Sequence, residues 1–147
     1  MRALAIAAVV GFAAIACFQA ALALVTPLGR AAWGGTNARL PARLRVASLI
    51  SAGVWVLAAL VILGRTSYRV SPVQTGVARW ATYVLVGVLA LSAIMNTASR
   101  SNWERFLWGP VALILAVVCL LVAVGGAHPA VPAMTRASTR RSTPRAR

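Results

Sequence analysis

The chain has 147 residues, of which 61% are hydrophobic and 11% charged, far below the roughly 25% charged residues of a soluble domain. Its formal net charge is +14, with every cation an Arg and a single acidic residue, Glu104. These values exclude an ordinary soluble globular domain. Because the cations lie between and after apolar stretches, not along one polar face, they also argue against nucleic-acid binding, and we expect the lipid bilayer and anionic phospholipids to be partners.

Four apolar stretches follow one another along the chain, at residues 3–25, 46–64, 80–97 and 106–126. None of them contains Asp, Glu, Lys or Arg. Each has about 18–23 residues, enough for a helix to cross a hydrocarbon core of roughly 30 Å. The pattern predicts an all-α, polytopic membrane protein whose residues 1–126 form an antiparallel bundle of four transmembrane helices.

The first stretch also has features of a secretory signal peptide. Arg2 would form its charged start, and Ala21-Leu22-Ala23 matches the small-x-small cleavage pattern. The apolar stretch continues to Val25, however, which is longer than the usual apolar region of about 7–15 residues in a signal peptide. We expect a retained helix. Cleavage would leave three spans.

Loops and a tail separate and follow the stretches. Loop 1 (residues 26–45) contains several Pro and Gly, and Pro41 is expected to open the second helix, since proline suits a first-turn position. Loop 3 (residues 98–105) is short, so the third and fourth spans should form a hairpin. Residues 127–147 are rich in Pro, Ala, Ser, Thr and Arg, and we expect a disordered tail.

Orientation follows from the distribution of Arg near the spans. The second loop comprises residues 65–79. It lies on the same side as the N-terminus and the tail, and this side carries more Arg than the side of loops 1 and 3. This balance predicts that both termini are cytoplasmic. Without the tail the balance would reverse. We also expect the tail cations to contact anionic lipids; these are Arg136, Arg140, Arg141, Arg145 and Arg147.

The predicted topology puts loops 1 and 3 on one face, together with most of the distinctive polar residues. They form a candidate recognition patch of Trp33, Asn37, Asn96, Ser101, Glu104, Arg105 and Trp108. In the functional interpretation, Glu104 pairs with a loop 1 Arg and frames a small concavity.

A structural interpretation explains much of the same patch. Ser101 and Glu104 have the spacing of a capping box, in which both side chains bond free backbone N–H groups at a helix start. Trp33, Trp103 and Trp108 fit an interfacial aromatic belt. Arg105 can reach lipid phosphate.

Pro110 and a few polar residues mark the membrane-spanning parts. In a helix running unbroken from Asn102, Pro110 would remove one backbone hydrogen bond and kink the helix. The alternative is a short surface helix followed by a spanning helix that starts at Pro110. Within the spans, Gln19 and Asn96 lie at depths that permit a hydrogen bond between helices, and Trp55 is expected to need an internal partner for its indole N–H.

The sequence offers no set of residues for catalysis or for a bound metal or cofactor. Its one histidine, His128, lies in the tail. The sequence has no CxxC or HExxH motif, no cluster of histidines, and no recognisable nucleophile with a base. The spans lack the carboxylate that proton-coupled carriers use. We therefore expect no enzyme activity.

Residues 19–35 and 99–110 resemble stretches of uncharacterised small four-helix integral membrane proteins of actinobacteria and related bacteria. The resemblance covers the four-span body and not the tail. It implies the same architecture and a multi-pass location in a bacterial cell inner membrane, and it brings no assigned activity.

Two functional hypotheses follow. The first is a non-enzymatic accessory, scaffold or assembly partner that acts through its helix faces and the recognition patch, with a membrane-protein partner or as a homo-oligomer. The alternative is a small-molecule or lipid-binding carrier that acts as an oligomer, with a polar site near Gln19, Asn96 and Glu104.

Overall fold

The computed structural model describes residues 2–24, 26–65 and 75–125, and it is helical throughout these ranges apart from the loops. The helices are α1 (Arg2–Ala23), α2 (Ala42–Arg65), α3 (Thr75–Thr97) and α4 (Gly109–Gly125), the last preceded by a π-helical turn at Glu104–Trp108. Counted with that turn, all four are long and apolar enough to cross a membrane. The predicted all-α architecture with four membrane-spanning helices is confirmed.

The helices extend beyond the apolar stretches. Helix α2 begins at Ala42 and α3 at Thr75, whereas the stretches begin at Val46 and Trp80. Hydropathy identifies only the residues that are apolar enough for the hydrocarbon core of a bilayer. A helix can continue beyond them into the polar interface, so it begins before the apolar stretch does. Pro41 directly precedes α2, and its carbonyl accepts the N–H groups of Leu44 and Arg45 at 3.0 and 3.1 Å. Pro41 therefore immediately precedes the first residue of α2, and its carbonyl accepts hydrogen bonds from the first turn of that helix.

Pro110 lies inside a continuous helical segment that starts at Asn102. The distortion lies just before it, where the N–H of Gly109 donates to the carbonyl of Glu104, five residues back. A π turn of this kind widens the helix by one residue. The segment is thus one distorted helix, and not a surface helix followed by a separate spanning helix.

The bundle packs mainly as two pairs, α1 with α2 and α3 with α4, with smaller contacts between the pairs. Its core combines a few large side chains with many alanines, which let helices approach closely. Among its buried members are Phe12, Ile62, Leu89, Leu115 and Cys119.

The outer faces of the helices are strongly apolar. Between 22% and 39% of the most hydrophobic window of each helix is buried inside the protein. Large side chains such as Ile6, Leu49, Val84 and Ile114 are more than half exposed. Exposure of so large an apolar surface to water is unfavourable, whereas contact of this surface with lipid tails is not. The surface therefore fits a bilayer environment.

Loop 1 folds over the end of the bundle where α1 ends and α2 begins. Two short 3-10 turns, Gly29–Ala31 and Trp33–Gly35, shape it. Its Ala32 and Leu40 pack against Leu22 of α1 in a second buried cluster. The Nε of Arg45 donates to the carbonyl of Ala23 at 2.9 Å and so satisfies a free carbonyl at the end of α1. Arg45 is part of α2, so this bond joins the start of α2 to the end of α1, while the loop itself packs on α1 through Ala32 and Leu40.

Candidate functional site

The turn Trp33-Gly34-Gly35 has three consecutive residues with positive φ, at 54°, 79° and 70°. Glycine adopts this left-handed conformation readily, but for Trp33 it costs about 1–2 kcal/mol. Two hydrogen bonds offset that strain. The indole N–H of Trp33 donates to Ser48 Oγ at 2.9 Å, and the N–H of Gly34 donates to Glu104 Oε1 at 2.7 Å. The shape of loop 1 therefore depends on contacts with α2 and with the π turn.

The carboxylate of Glu104 connects loop 1 to loop 3. Its Oε1 accepts the N–H of Gly34, and its Oε2 accepts the hydroxyl of Ser99 at 2.5 Å. The Oγ of Ser99 in turn accepts the N–H of Ser101 at 3.1 Å. We call these four residues, Gly34, Ser99, Ser101 and Glu104, the loop clamp. The chain's one acidic residue is its centre.

Both sequence-based expectations for Glu104 are wrong. The predicted capping box would place the Glu104 side chain on the N–H of Ser101, but that N–H donates to Ser99 Oγ. The predicted ion pair with a loop 1 Arg is replaced by two bonds to uncharged donors. The reason is geometric, because the left-handed turn presents the N–H of Gly34 directly to the carboxylate.

Two tryptophans of the predicted aromatic belt also make contacts within the protein. The indole N–H of Trp108 donates to the carbonyl of Ala31 at 2.7 Å, and the Trp108 ring contacts Phe18 with centroids 4.7 Å apart. Trp33 donates to Ser48 and is 38% exposed. Trp103 is 56% exposed. The aromatic belt stays a prediction for all three tryptophans.

A cavity of about 340 Å³ lies beneath the clamp, at the end of the bundle where α1 and α3 end and α2 and α4 begin. Five polar side chains from four parts of the chain line it, together with three indole rings. These residues are Gln19, Trp33, Ser51, Trp55, Ser92, Asn96, Glu104 and Trp108. We call it the loop-side cavity. Its deeper wall is apolar and includes Ile15, Leu89 and Val111.

The structure brings four members of the predicted recognition patch together in this cavity: Trp33, Asn96, Glu104 and Trp108. The other three do not line it, as described next. Ser51, Ser92 and Trp55 line it although the patch did not include them. They belong to the spans, where Ser51 and Ser92 are among the few polar residues and Trp55 lies deeper, stacked on Phe12.

Asn37, Arg105 and Ser101 have other surroundings. Asn37 is exposed, and its amide donates to the hydroxyl of its neighbour Thr36. Arg105 is exposed, donates to Asn102 Oδ1 at 3.3 Å and lies over the ring of Phe106, so it faces away from the cavity. Ser101 is buried in the loop clamp. The patch predicted from sequence is thus divided between a cavity, a clamp and an exposed rim.

The side-chain carbonyl oxygen of Gln19 is buried and, within the described residues, has no hydrogen-bond donor. The predicted bond between Gln19 and Asn96 is not formed, although both residues line the cavity. Trp55 stacks on Phe12, with centroids 5.6 Å apart, and does not donate to an internal partner in the described part of the chain. Gln19 and Trp55 therefore both line the loop-side cavity.

The charge around the cavity is distinctive for so basic a chain. Among the residues that the structure describes, Glu104 is the one charged residue that lines the cavity, and no Arg does. The cavity can offer hydrogen bonds, aromatic surface and one negative charge. In the ranges that the structure describes, no group of three His, Cys, Asp or Glu side chains could hold a metal ion. The tail Arg residues that we expected to contact lipid (136, 140, 141, 145 and 147) lie outside the described residues.

Comparisons of the chain with protein-family models, with curated proteins and with solved structures found no match.

Proposed function

We propose that the chain is an integral membrane protein that binds a small molecule or a single lipid in the loop-side cavity. The observation that carries the proposal is the convergence of polar side chains from α1, α2, α3 and the π turn on one space. A ligand in that space would meet hydrogen-bonding groups from four parts of the chain.

The dimensions and chemistry of the cavity support ligand binding. Its volume falls in the range of roughly 300–1,000 Å³ that is typical of small-molecule sites. Its apolar deep wall and its polar end suit an amphipathic molecule.

From the sequence we favoured an accessory, scaffold or assembly role, with ligand binding as the alternative. We now place ligand binding first, because the polar residues that a partner could have recognised are turned towards the cavity. The patch members that stay exposed are Trp33, Asn37 and Arg105, and of these Trp33 also lines the cavity. The accessory role remains the alternative, and the mass-spectrometry experiment described below separates the two roles.

We also propose a setting for the cavity. The excess of Arg on the side of the N-terminus, second loop and tail supports cytoplasmic termini, and the resemblance at residues 19–35 and 99–110 supports a bacterial inner membrane. Loops 1 and 3 would then face outward. The loop-side cavity would lie close to the outer membrane surface, within reach of lipid headgroups and of molecules that enter from outside.

Native mass spectrometry of the full chain, purified from its native membranes in an uncharged detergent, tests this proposal. We expect a bound species of defined mass on the parent and its loss from Ser92→Leu, which fills the cavity. Leu91→Ala is the matched control, because Leu91 is 59% exposed on the same helix and faces away from the core. Identical adducts on parent and Ser92→Leu would contradict cavity binding. A protein partner that co-purifies with both would favour the accessory role.

A further inference from the structure

We infer that the loop-side cavity recognises an ammonium group carried on an apolar body. This inference rests on the proposed binding function and names the class of ligand. The same chemistry occurs in free lipophilic amines and in the headgroups of some phospholipids, and the experiment below distinguishes these sources.

The distribution of charge is the first argument. The chain contains fifteen Arg and one acidic residue, and within the described ranges the acidic residue lines the cavity while no Arg does. An anionic ligand would meet a carboxylate with no counter-charge in the lining, and a neutral ligand would gain little from that charge. A cation gains directly, because opposite charges attract more strongly where water is partly excluded.

The hydrogen bonds of Glu104 leave it able to serve a ligand. Its two donors, the Gly34 N–H and the Ser99 hydroxyl, are both neutral and do not cancel its negative charge. Each carboxylate oxygen accepts one hydrogen bond in the clamp and has a further lone pair. The clamp therefore fixes the position of the carboxylate and leaves capacity for a ligand N–H.

The aromatic lining is the second argument. The indole N–H groups of Trp33 and Trp108 are engaged with Ser48 and Ala31, so these rings contribute π surface to the cavity and no donors. Trp55 adds a third indole. Indole faces attract cations, most strongly where the cation is partly desolvated.

The remaining polar groups can satisfy the N–H donors of such a ligand. The side chains of Ser51, Ser92 and Asn96 can each accept a hydrogen bond from it. An ammonium group carries up to three N–H donors. The apolar wall formed by Ile15, Leu89 and Val111 would then receive the hydrocarbon part of the ligand.

Three probes with one aromatic body and different charges test the inference on the full chain in an uncharged detergent. They are 3-phenylpropylamine (a cation), 3-phenylpropanol (neutral) and 3-phenylpropionate (an anion), with binding followed by tryptophan fluorescence. We expect the amine to bind about tenfold or more tightly than the alcohol, and the propionate most weakly. Equal or tighter binding of the alcohol would overturn the cation inference and leave cavity binding intact. No binding of any probe would overturn both.

Two variants separate the charge of Glu104 from its structural role. Glu104→Gln should reduce the preference for amine over alcohol to about twofold or less, because the amide matches the carboxylate in size but carries no negative charge. Ser99→Ala removes one bond of the clamp and keeps the charge, so its preference should stay near that of the parent. If Glu104→Gln keeps the parental preference, the inference is wrong.

Trp55→Leu provides an independent test if Glu104→Gln does not fold, since Trp55 takes no part in the loop clamp. Loss of this indole should weaken binding of the amine more than binding of the alcohol. An equal loss for both probes would show that Trp55 contributes only apolar contact, against the inference.

Short-chain phospholipids identify the source of the ammonium group. Dihexanoyl phosphatidylethanolamine should displace 3-phenylpropylamine if the natural ligand is a lipid headgroup, and should fail to do so if it is a free amine. Both outcomes agree with ammonium recognition. Stronger displacement by dihexanoyl phosphatidylglycerol, whose headgroup is anionic and has no ammonium, would overturn it.

Discussion

The backbone N–H of Gly34 donates a 2.7 Å hydrogen bond to the carboxylate of Glu104, 70 residues further along the chain. This bond fixes loop 1 to the start of the fourth helical segment. Because Trp33 on one side of it and Trp108 on the other both line the loop-side cavity, the bond also sets the shape of the cavity opening. One interaction thus links the fold of a connecting loop to the candidate binding site.

Removing the charge of Glu104 should destabilise the protein by about 1–2 kcal/mol. In Glu104→Gln one oxygen can still accept the Gly34 N–H, but the new amide N–H₂ is a donor where the carboxylate accepted the Ser99 hydroxyl. The Ser99 hydroxyl proton then loses its acceptor. Thermal unfolding in detergent measures the effect, and a variant as stable as the parent would argue against the clamp.

The two glycines of the turn form a matched pair. Gly34→Ala and Gly35→Ala both place alanine at positive φ, which costs about 1 kcal/mol at each site. A Cβ at Gly34 would meet nothing within 4 Å, whereas one at Gly35 would lie 3.0 Å from both the Arg30 carbonyl and Ser101 Oγ. We expect Gly35→Ala to be clearly the less stable variant. Equal losses would show that loop 1 does not pack on loop 3 in this way.

The architecture could be predicted from the sequence because a bilayer imposes simple requirements. A helix that crosses hydrocarbon needs a long apolar stretch, and each of the four stretches is now found within a helix or at its end. The helix starts at Ala42 and Thr75 could not be located in this way, since residues in the polar interface carry no hydropathy signal. Pro110 indicated a distortion, but its form, a π turn before the proline, depends on local backbone geometry.

The candidate site was predicted only in part. The grouping of Gln19, Asn96 and Glu104 near one end of the bundle followed from depth along the helices, and all three line the cavity. The partners of Glu104 did not follow. The spacing of Ser101 and Glu104 matched a local capping pattern, whereas the observed bond to Gly34 is a long-range contact made by a left-handed turn. Spacing along the chain carries no information about such a contact.

Cysteine labelling in intact cells tests the proposed orientation. In a background lacking Cys17 and Cys119, cysteines at the exposed positions Thr36 and Arg100 should react with an impermeant thiol reagent. A cysteine at Ser71, in the second loop, should not react. Ser101→Cys is a burial control beside Arg100, because Ser101 is only 8% exposed and should react slowly. Labelling at position 71 alone would show that the chain has the opposite orientation in the membrane.

The Arg-rich tail should bind anionic membranes. Five Arg between residues 136 and 147 contribute roughly 1 kcal/mol each near an anionic leaflet at low salt. A peptide of residues 127–147 should therefore bind phosphatidylglycerol vesicles and should be released as salt is raised, as measured by co-sedimentation. A peptide with these five Arg replaced by Gln is the control. Equal binding to neutral and anionic vesicles would remove the electrostatic explanation.

Photo-crosslinking tests the central claim, that the loop-side cavity is a binding site, most directly. A diazirine analogue of 3-phenylpropylamine, irradiated with the full chain in lipid nanodiscs, should label residues around Gln19, Ser92 and Asn96. Excess unlabelled amine should suppress this labelling. Labelling spread over lipid-facing residues such as Ile6 and Val84, and unaffected by excess amine, would contradict the account.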